Sequence, residues 1–458
     1  MSFFSLLAFS LPVLSGTLIA HLLWLDKNSP LDLFFKFSLG TGLGLGISAL
    51  LYFVCLLFFA GRSFFLYVEA ALFLSLLTAA YLKRKRMVRA SSPRLKITLP
   101  QAAILLAAVI VFLSSFIGMV NYSRQRARGD WDAWMIYNRA ARFIFRGGEN
   151  WRDAFSSEMG VIFHADYPPL LALNTASRWE ILGEETAFVP MIQGFLFSLA
   201  ALGLSFGALA ELKSLAQGGV GLILLGGVPF FLGEGGRQTA DLPLAFYLLA
   251  SLVSLFFYFR DRRAAFLALA GFMAGLAAWT KNEGMLFLFA SVGILFTAAL
   301  WKRSLLDFLL YFAGALPSLL LLFYFKSQIA PPSEFLGGGS LFPYLADGSR
   351  HQLIFSAFEE FFLHGGGWFG IGIYLVLSAY FLLFYSRGGN PAPILISLAI
   401  LVFQMIGYYV VYLISPYDLT WHIGYSLNRL FVQIYPSAVF VVLYAGATPE
   451  MIFPSRPK

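Results

Sequence analysis

The sequence is short of charge and nearly devoid of cysteine. Asp, Glu, Lys and Arg make up only 12% of its 458 residues, against about 25% in soluble domains. A chain that is 59% hydrophobic cannot cover itself with a polar surface, so its solvent is lipid. Its one cysteine, Cys55, lies inside an apolar run, which excludes a disulfide framework and a cysteine metal site. Early basic residues are lacking too. No Lys or Arg precedes the apolar run over residues 3–25, which therefore reads as a retained helix and not a signal peptide. No internal repeat of the inverted-transporter kind is visible.

What the chain has is apolar length. Mean hydropathy is +0.76, and fifty Phe and nine Trp suit lipid faces and interfacial belts. A span needs about 20 apolar residues. The spans fall at roughly 3–25, 33–60, 63–82, 99–120, 187–210, 218–233, 238–259, 264–280, 284–301, 304–325, 368–385, 392–414 and 430–447. The expectation is an all-α polytopic membrane protein with about 13 transmembrane helices. The sixth span is short and holds Gly226, Gly227, Pro229 and Gly233. Gly40, Gly42, Gly44 and Gly46 form two small-xxx-small faces suited to close helix packing, not a nucleotide motif.

The net charge of +8 concentrates in Lys83-Arg84-Lys85-Arg86, continued by Arg89, Arg94 and Lys96. That is a cytoplasmic loop under the positive-inside rule, not a nucleic-acid surface. Fixing it inside puts Lys27, Lys213, Arg260, Arg262, Arg263, Lys302, Arg303, Arg387, Arg456 and Lys458 inside as well. Most acids, and the N-terminus, then lie outside. Two outer loops, 121–186 and 326–367, exceed the roughly 12–15 residues of a plain connector. In the first, residues 133–146 read as an interfacial helix with Arg139, Arg142 and Arg146 as headgroup anchors. A second helix starts at Pro168-Pro169 and runs to about Gly183.

Polar residues gather on the outer side, which makes them functional candidates. They are Gly129-Asp130-Trp131-Asp132-Ala133-Trp134, His164-Ala165-Asp166-Tyr167-Pro168-Pro169-Leu170, Arg237 to Leu244, Trp279 to Gly284, and Trp421-His422 with Ser426, Asn428, Arg429 and Gln433. In order and sidedness these segments resemble the GT-C superfamily of membrane glycosyltransferases, near the protein O-mannosyltransferase and aminoarabinose-transferase branch. Asp130 and Asp132 stand where that family has an acidic motif after a span, and Tyr167-Pro168-Pro169-Leu170 resembles its His-Pro-Pro-Leu motif. Residues 240–246 and 275–284 resemble recurring segments of bacterial members. Two features depart from the pattern: the acidic motif is Asp-Trp-Asp, and three spans precede the matching region.

The resemblance implies sugar transfer from a polyprenyl phosphate on the outer face, to a glycan, lipid or protein acceptor. Such transfer needs a base for the acceptor proton, a role a carboxylate can fill. Asp132 is the first candidate, with Asp130 and Asp166 beside it. In an extended segment Asp130 and Asp132 would share a face; on a helix they would diverge and could serve as caps. The departing phosphate needs cations, and Arg237, Lys281 and Arg429 lie at outer span ends. Each could equally snorkel to lipid phosphate, or pair with Asp241 or Glu283. His164, Tyr167, Asp241, Glu283 and His422 complete the candidate substrate-binding set. No cofactor is required. His164, His351, His364 and His422, with Asp132 and Asp166, leave room for a divalent ion without implying one. The chain divides into N-terminal helices (1–98), a GT-C-like core (99–326) and a C-terminal part (327–458). Its expected setting is a bacterial inner (plasma) membrane, with membrane lipids and no nucleic acid as partners. The rival readings are a polymerase or ligase using a polyprenyl diphosphate-linked glycan, and a secondary transporter or lipid flippase.

Overall fold

The computed structural model describes residues 3–24, 29–58, 63–84, 97–160, 163–302, 304–333, 342–386 and 390–453. Most of the basic run, including Lys85, Arg86, Arg89, Arg94 and Lys96, lies outside the described residues, as do Lys27, Arg303, Arg387, Arg456 and Lys458. Among the described residues there is no strand, only two isolated bridges.

In chain order the helices are α1 (Phe3–Leu7), α2 (Ser10–Leu23), α3 (Pro30–Phe58), α4 (Ser63–Lys83), α5 (Leu99–Gln125), α6 (Asn138–Gly147), α7 (Leu170–Leu182), α8 (Phe188–Leu212), α9 (Leu215–Gly226), α10 (Pro229–Arg237), α11 (Asp241–Asp261), α12 (Ala264–Thr280), α13 (Asn282–Lys302) and α14 (Leu305–Gln328). After them come α15 (Gly348–His364), α16 (Ile373–Phe384), α17 (Ala392–Leu413) and α18 (Leu419–Ala445). Among the described residues ten helices are long and apolar enough to cross a membrane, counting Phe3–Leu23 as one. The expected count of thirteen is reached only by adding the shorter apolar helices α9, α12 and α16.

The short sixth span is broken. α9 ends at Gly226, and Pro229, which cannot donate, opens α10. The Trp368 indole donates to the freed Gly227 carbonyl at 2.9 Å, supplying a bond that lipid cannot. The last helix starts earlier than expected, at Leu419, capped by the Asp418 side chain accepting from the Trp421 N–H. His422 and Arg429 therefore stand on a helix and not in a loop.

α11 is the centre of the bundle, 94% of its apolar window being buried, while α5 lies at the edge with 11%. The glycine run of α3 works as two faces. A Cβ on Gly44 would lie 1.8 Å from the Pro12 carbonyl oxygen, and one on Gly42 would lie 2.0 Å from the Phe246 ring. The first face seats α2 and the second seats α11, so each glycine permits a close backbone approach.

The bundle has two polar ends. At one, Arg260 meets Glu211 and Asp261, and Glu450 takes bonds from Gln101 and Ser214. The loop between α5 and α8 lies at the other. There α7 is sunk among α3, α4 and α8, and Gly183, with φ 73°, closes it in the left-handed conformation that suits glycine.

Candidate active site

Six elements meet at the loop-bearing end. Asp241 opens α11, where the helix dipole favours a carboxylate, and it is fully buried. Three donors converge on it. Arg429 of α18 donates from Nε and Nη2, both at 2.8 Å, Lys281 Nζ from 3.0 Å, and Gln433 Nε2 from 2.6 Å. Arg429 and Gln433 are four apart on one helix, so both reach the same partner.

The network extends in both directions. Lys281 Nζ also lies 2.7 Å from Glu283. Arg429 Nη1 lies 2.6 Å from Asp132 Oδ2, and the Tyr425 hydroxyl donates to Asp132 Oδ1 at 2.7 Å. Among the described residues the ion pairs of Asp132, Asp241 and Glu283 in this network are with Arg429 and Lys281: three carboxylates against two cations. Burial would lower the Lys281 ammonium, but the Asp241 and Glu283 carboxylates more than offset it and hold it above its usual range.

Asp166 stands beside this chain of charges. It accepts from Asn282 Nδ2 at 2.8 Å, and Lys326 Nζ bonds both its carbonyl oxygen, at 2.5 Å, and Asn282 Oδ1, at 2.8 Å. It does not cap α7; Pro169 holds that position, with no side-chain bond. Tyr167 lies 5.9 Å from Lys281 Nζ, and its ring stacks on His164 with centroids 4.7 Å apart. His164 has φ 42°, a strained backbone for a non-glycine residue. Burial raises the Tyr167 phenol well above its usual value.

Asp130 and Asp132 part company. The chain enters a helix at Trp131, and residues 133–137 form a π-helical turn. A carboxylate two residues from another on a helix points elsewhere. Asp130 meets Arg126 at 2.5 Å, Tyr122 at 2.9 Å and Arg237 Nε at 3.1 Å. Arg237 also pairs with buried Glu234 at 2.8 Å. Arg237 therefore belongs to a second cluster, not to the cations on Asp241.

The arginines of α6 are not free headgroup anchors. Arg139 bonds the Met135, Ala154 and Phe163 carbonyls, and burial pushes its guanidinium down to about 10. Arg142 and Arg146 both pair with Glu185. The histidines are scattered. His351 bonds Tyr409, His364 the Gly370 carbonyl, and His422 Ser415. No group of three or more His, Cys, Asp or Glu among the described residues is placed to hold a metal ion.

Tyr425, Lys326 and Tyr137 were not singled out from the sequence, and Asn282 only as part of the segment Trp279 to Gly284. Lys326 had a signal, a lone cation at the end of an apolar span; the two tyrosines look like ordinary aromatic residues.

With this arrangement in view, comparison with known proteins gives a family match. Residues 166–325 match the family model of dolichyl-phosphate-mannose-protein mannosyltransferase. That match, over about a third of the chain, supports the resemblance to GT-C membrane glycosyltransferases. The GT-C match covers Asp166, Tyr167, Arg237, Asp241, Lys281 and Glu283, whereas Asp130, Asp132, His164, His422 and Arg429 fall outside it. No curated protein and no solved structure matches the chain. The match supports a glycosyltransferase, and the apolar helices support a multi-pass membrane protein.

Proposed function

We propose that this protein transfers a sugar from a polyprenyl-phosphate donor to an acceptor hydroxyl on the outer face of the membrane, Asp132 acting as general base. The observation that carries this reading is the Asp132–Arg429–Asp241–Lys281 chain, which ties the outer loop to the GT-C core through buried ion pairs. Asp132 takes the proton from the acceptor hydroxyl as its oxygen attacks the anomeric carbon. The bond from that carbon to the phosphate oxygen breaks, and polyprenyl phosphate leaves. A single in-line displacement inverts the anomeric centre.

The charge count says how the phosphate enters. With three carboxylates facing two cations, an added phosphate binds only by displacing a carboxylate from one of them. Asp241 is fully buried and holds Arg429 through two bonds, so that pair stays. Asp132 shares a single guanidinium nitrogen, Nη1, and is the exchangeable partner. Donor binding thus frees the base at the moment it is needed. Lys281, which keeps its proton, supplies the second charge for the leaving phosphate.

A groove of about 730 Å³ between α5 and α8, lined by Phe116, Val120, Met191, Phe195 and Leu199, offers an apolar path at the same end. None of Asp132, Asp166, Asp241, Lys281 or Arg429 lines it. It suits a lipid tail but not the reacting groups. The core over 99–326 would hold the donor machinery and 327–458 would contribute Arg429; a glycan, lipid or protein would accept the sugar.

The test is donor affinity measured in nanodiscs, alongside solute uptake in proteoliposomes. Saturable binding of a polyprenyl-phosphate sugar without uptake is the expected result. Uptake without any such binding would replace the enzyme with a transporter.

A further inference from the structure

The Tyr137 hydroxyl is a buried polar group to which the mechanism above gives no task. Tyr137 ends the π-helical turn 133–137 that follows Asp132, and it is 4% exposed. Its hydroxyl has no hydrogen-bond partner among the described residues. A buried donor without a partner is rare, because desolvation goes unrepaid. After burial, the charges that act on it most are Asp241, Asp132, Arg429 and Glu283. The phenol is thus in the field of the charged network, on the turn that follows Asp132, yet bonds to none of its members. π-Helical turns are rare and frequently mark functional sites, since they re-aim a side chain at the expense of regular bonding.

We infer that the Tyr137 hydroxyl donates a hydrogen bond to a phosphate oxygen of the bound donor lipid. The inference rests on the proposed function and extends it by one residue. A phosphate that replaces Asp132 on Arg429 Nη1 enters the network whose field reaches Tyr137, and brings acceptor oxygens. The phenol suits this task. It stays protonated, because burial and the Asp241 and Asp132 carboxylates raise it well above its usual value. It adds a donor without adding charge to a site whose cations are already committed.

The discriminating variant is Tyr137→Phe, which keeps the ring and removes only the orphaned hydroxyl. Since no bond is lost in the free protein, its melting temperature should match or exceed the wild type. Its dissociation constant for polyprenyl phosphate in nanodiscs should rise roughly ten- to hundredfold, as expected for a bond to a charged acceptor. Tyr374→Phe is the control. Its hydroxyl donates to the Phe431 carbonyl at 2.6 Å, so it should melt lower with unchanged lipid affinity.

Three probes identify the group contacted. Equal weakening for polyprenyl phosphate and its sugar-bearing form supports a phosphate contact. Competition by inorganic phosphate that weakens in parallel supports recognition of phosphate itself, independent of the lipid. Weakening confined to the sugar-bearing lipid would overturn the phosphate assignment. Unchanged affinity in Tyr137→Phe, with wild-type binding intact, would overturn this inference alone, as expected if a water satisfies the phenol. No binding by the wild type would overturn the proposed function, and this inference with it.

Discussion

Arg178 and Arg429 are both buried arginines bonded to carboxylates at the loop-bearing end, yet their surroundings differ. Arg178 bonds both oxygens of Glu69, at 2.9 and 3.0 Å, together with Ser48 Oγ, the Ala8 carbonyl and Ser177 Oγ. One cation meets one anion, and every guanidinium nitrogen has a partner. Arg429 is instead shared between Asp132 and Asp241, in a network with more carboxylates than cations and an unpartnered phenol alongside. The first arrangement is a fastening that holds α7 to α3, α4 and the turn between α1 and α2. The second is the one that, on the proposed function, exchanges a partner for a ligand. Burial of charge does not separate the two; stoichiometry and the orphaned donor do.

The largest expected effect lies in the exchangeable network. Asp132→Asn is nearly isosteric but cannot accept the acceptor proton, so turnover should fall about 10²–10⁴-fold with donor binding kept. Wild-type turnover in that variant would show that the base is elsewhere. On the fastening side, Arg178→Met leaves Glu69 buried and unpaired, which costs about 3–5 kcal/mol. Thermal melting in detergent should show the loss, while turnover per folded molecule stays near normal. Adding Glu69→Leu should restore much of the stability, because replacing both partners of a buried pair by apolar residues is often neutral. Failure to recover would mean the pair does more than fasten.

Donor affinity sharpens the comparison within the site. Arg429→Ala and Lys281→Ala should each weaken polyprenyl-phosphate binding roughly ten- to hundredfold. Arg237→Ala should do less, because its guanidinium is committed to Asp130 and Glu234. Equal losses in all three would merge the two clusters into one phosphate site. The smallest change is expected for Asp130→Asn, whose partner Arg126 is exposed; turnover should stay within a few-fold of wild type.

The fold was largely legible in the sequence because lipid imposes long apolar runs, and such runs can be counted. Reading failed where backbone geometry decides. Gly227 and Pro229 break one expected span, and Leu419 begins a helix that the sequence places eleven residues later. Lys36 and Glu69 are charges inside apolar spans, where an unpaired charge is costly. Lys36 bonds the Trp24 carbonyl, and Glu69 is matched by Arg178 from the long loop between α5 and α8.

The convergence of the candidate residues was legible in the sequence, but not their pairing. Asp132, Asp241, Lys281, Glu283 and Arg429 do converge, since polar residues at span ends have nowhere else to go. That Asp130 leaves this group and Arg237 follows it depends on the helical turn at 131–132, which no local motif announces. Tyr137 carried no signal at all: an unpartnered hydroxyl is a property of packing.

The central claim is tested most directly by following polyprenyl phosphate release from a polyprenyl-phosphate sugar, with wild type and Asp132→Asn reconstituted side by side. Wild type should release the lipid phosphate and form a product of inverted anomeric configuration, whereas Asp132→Asn should bind the donor and release almost nothing. Retained configuration, or equal release by both proteins, would contradict the account.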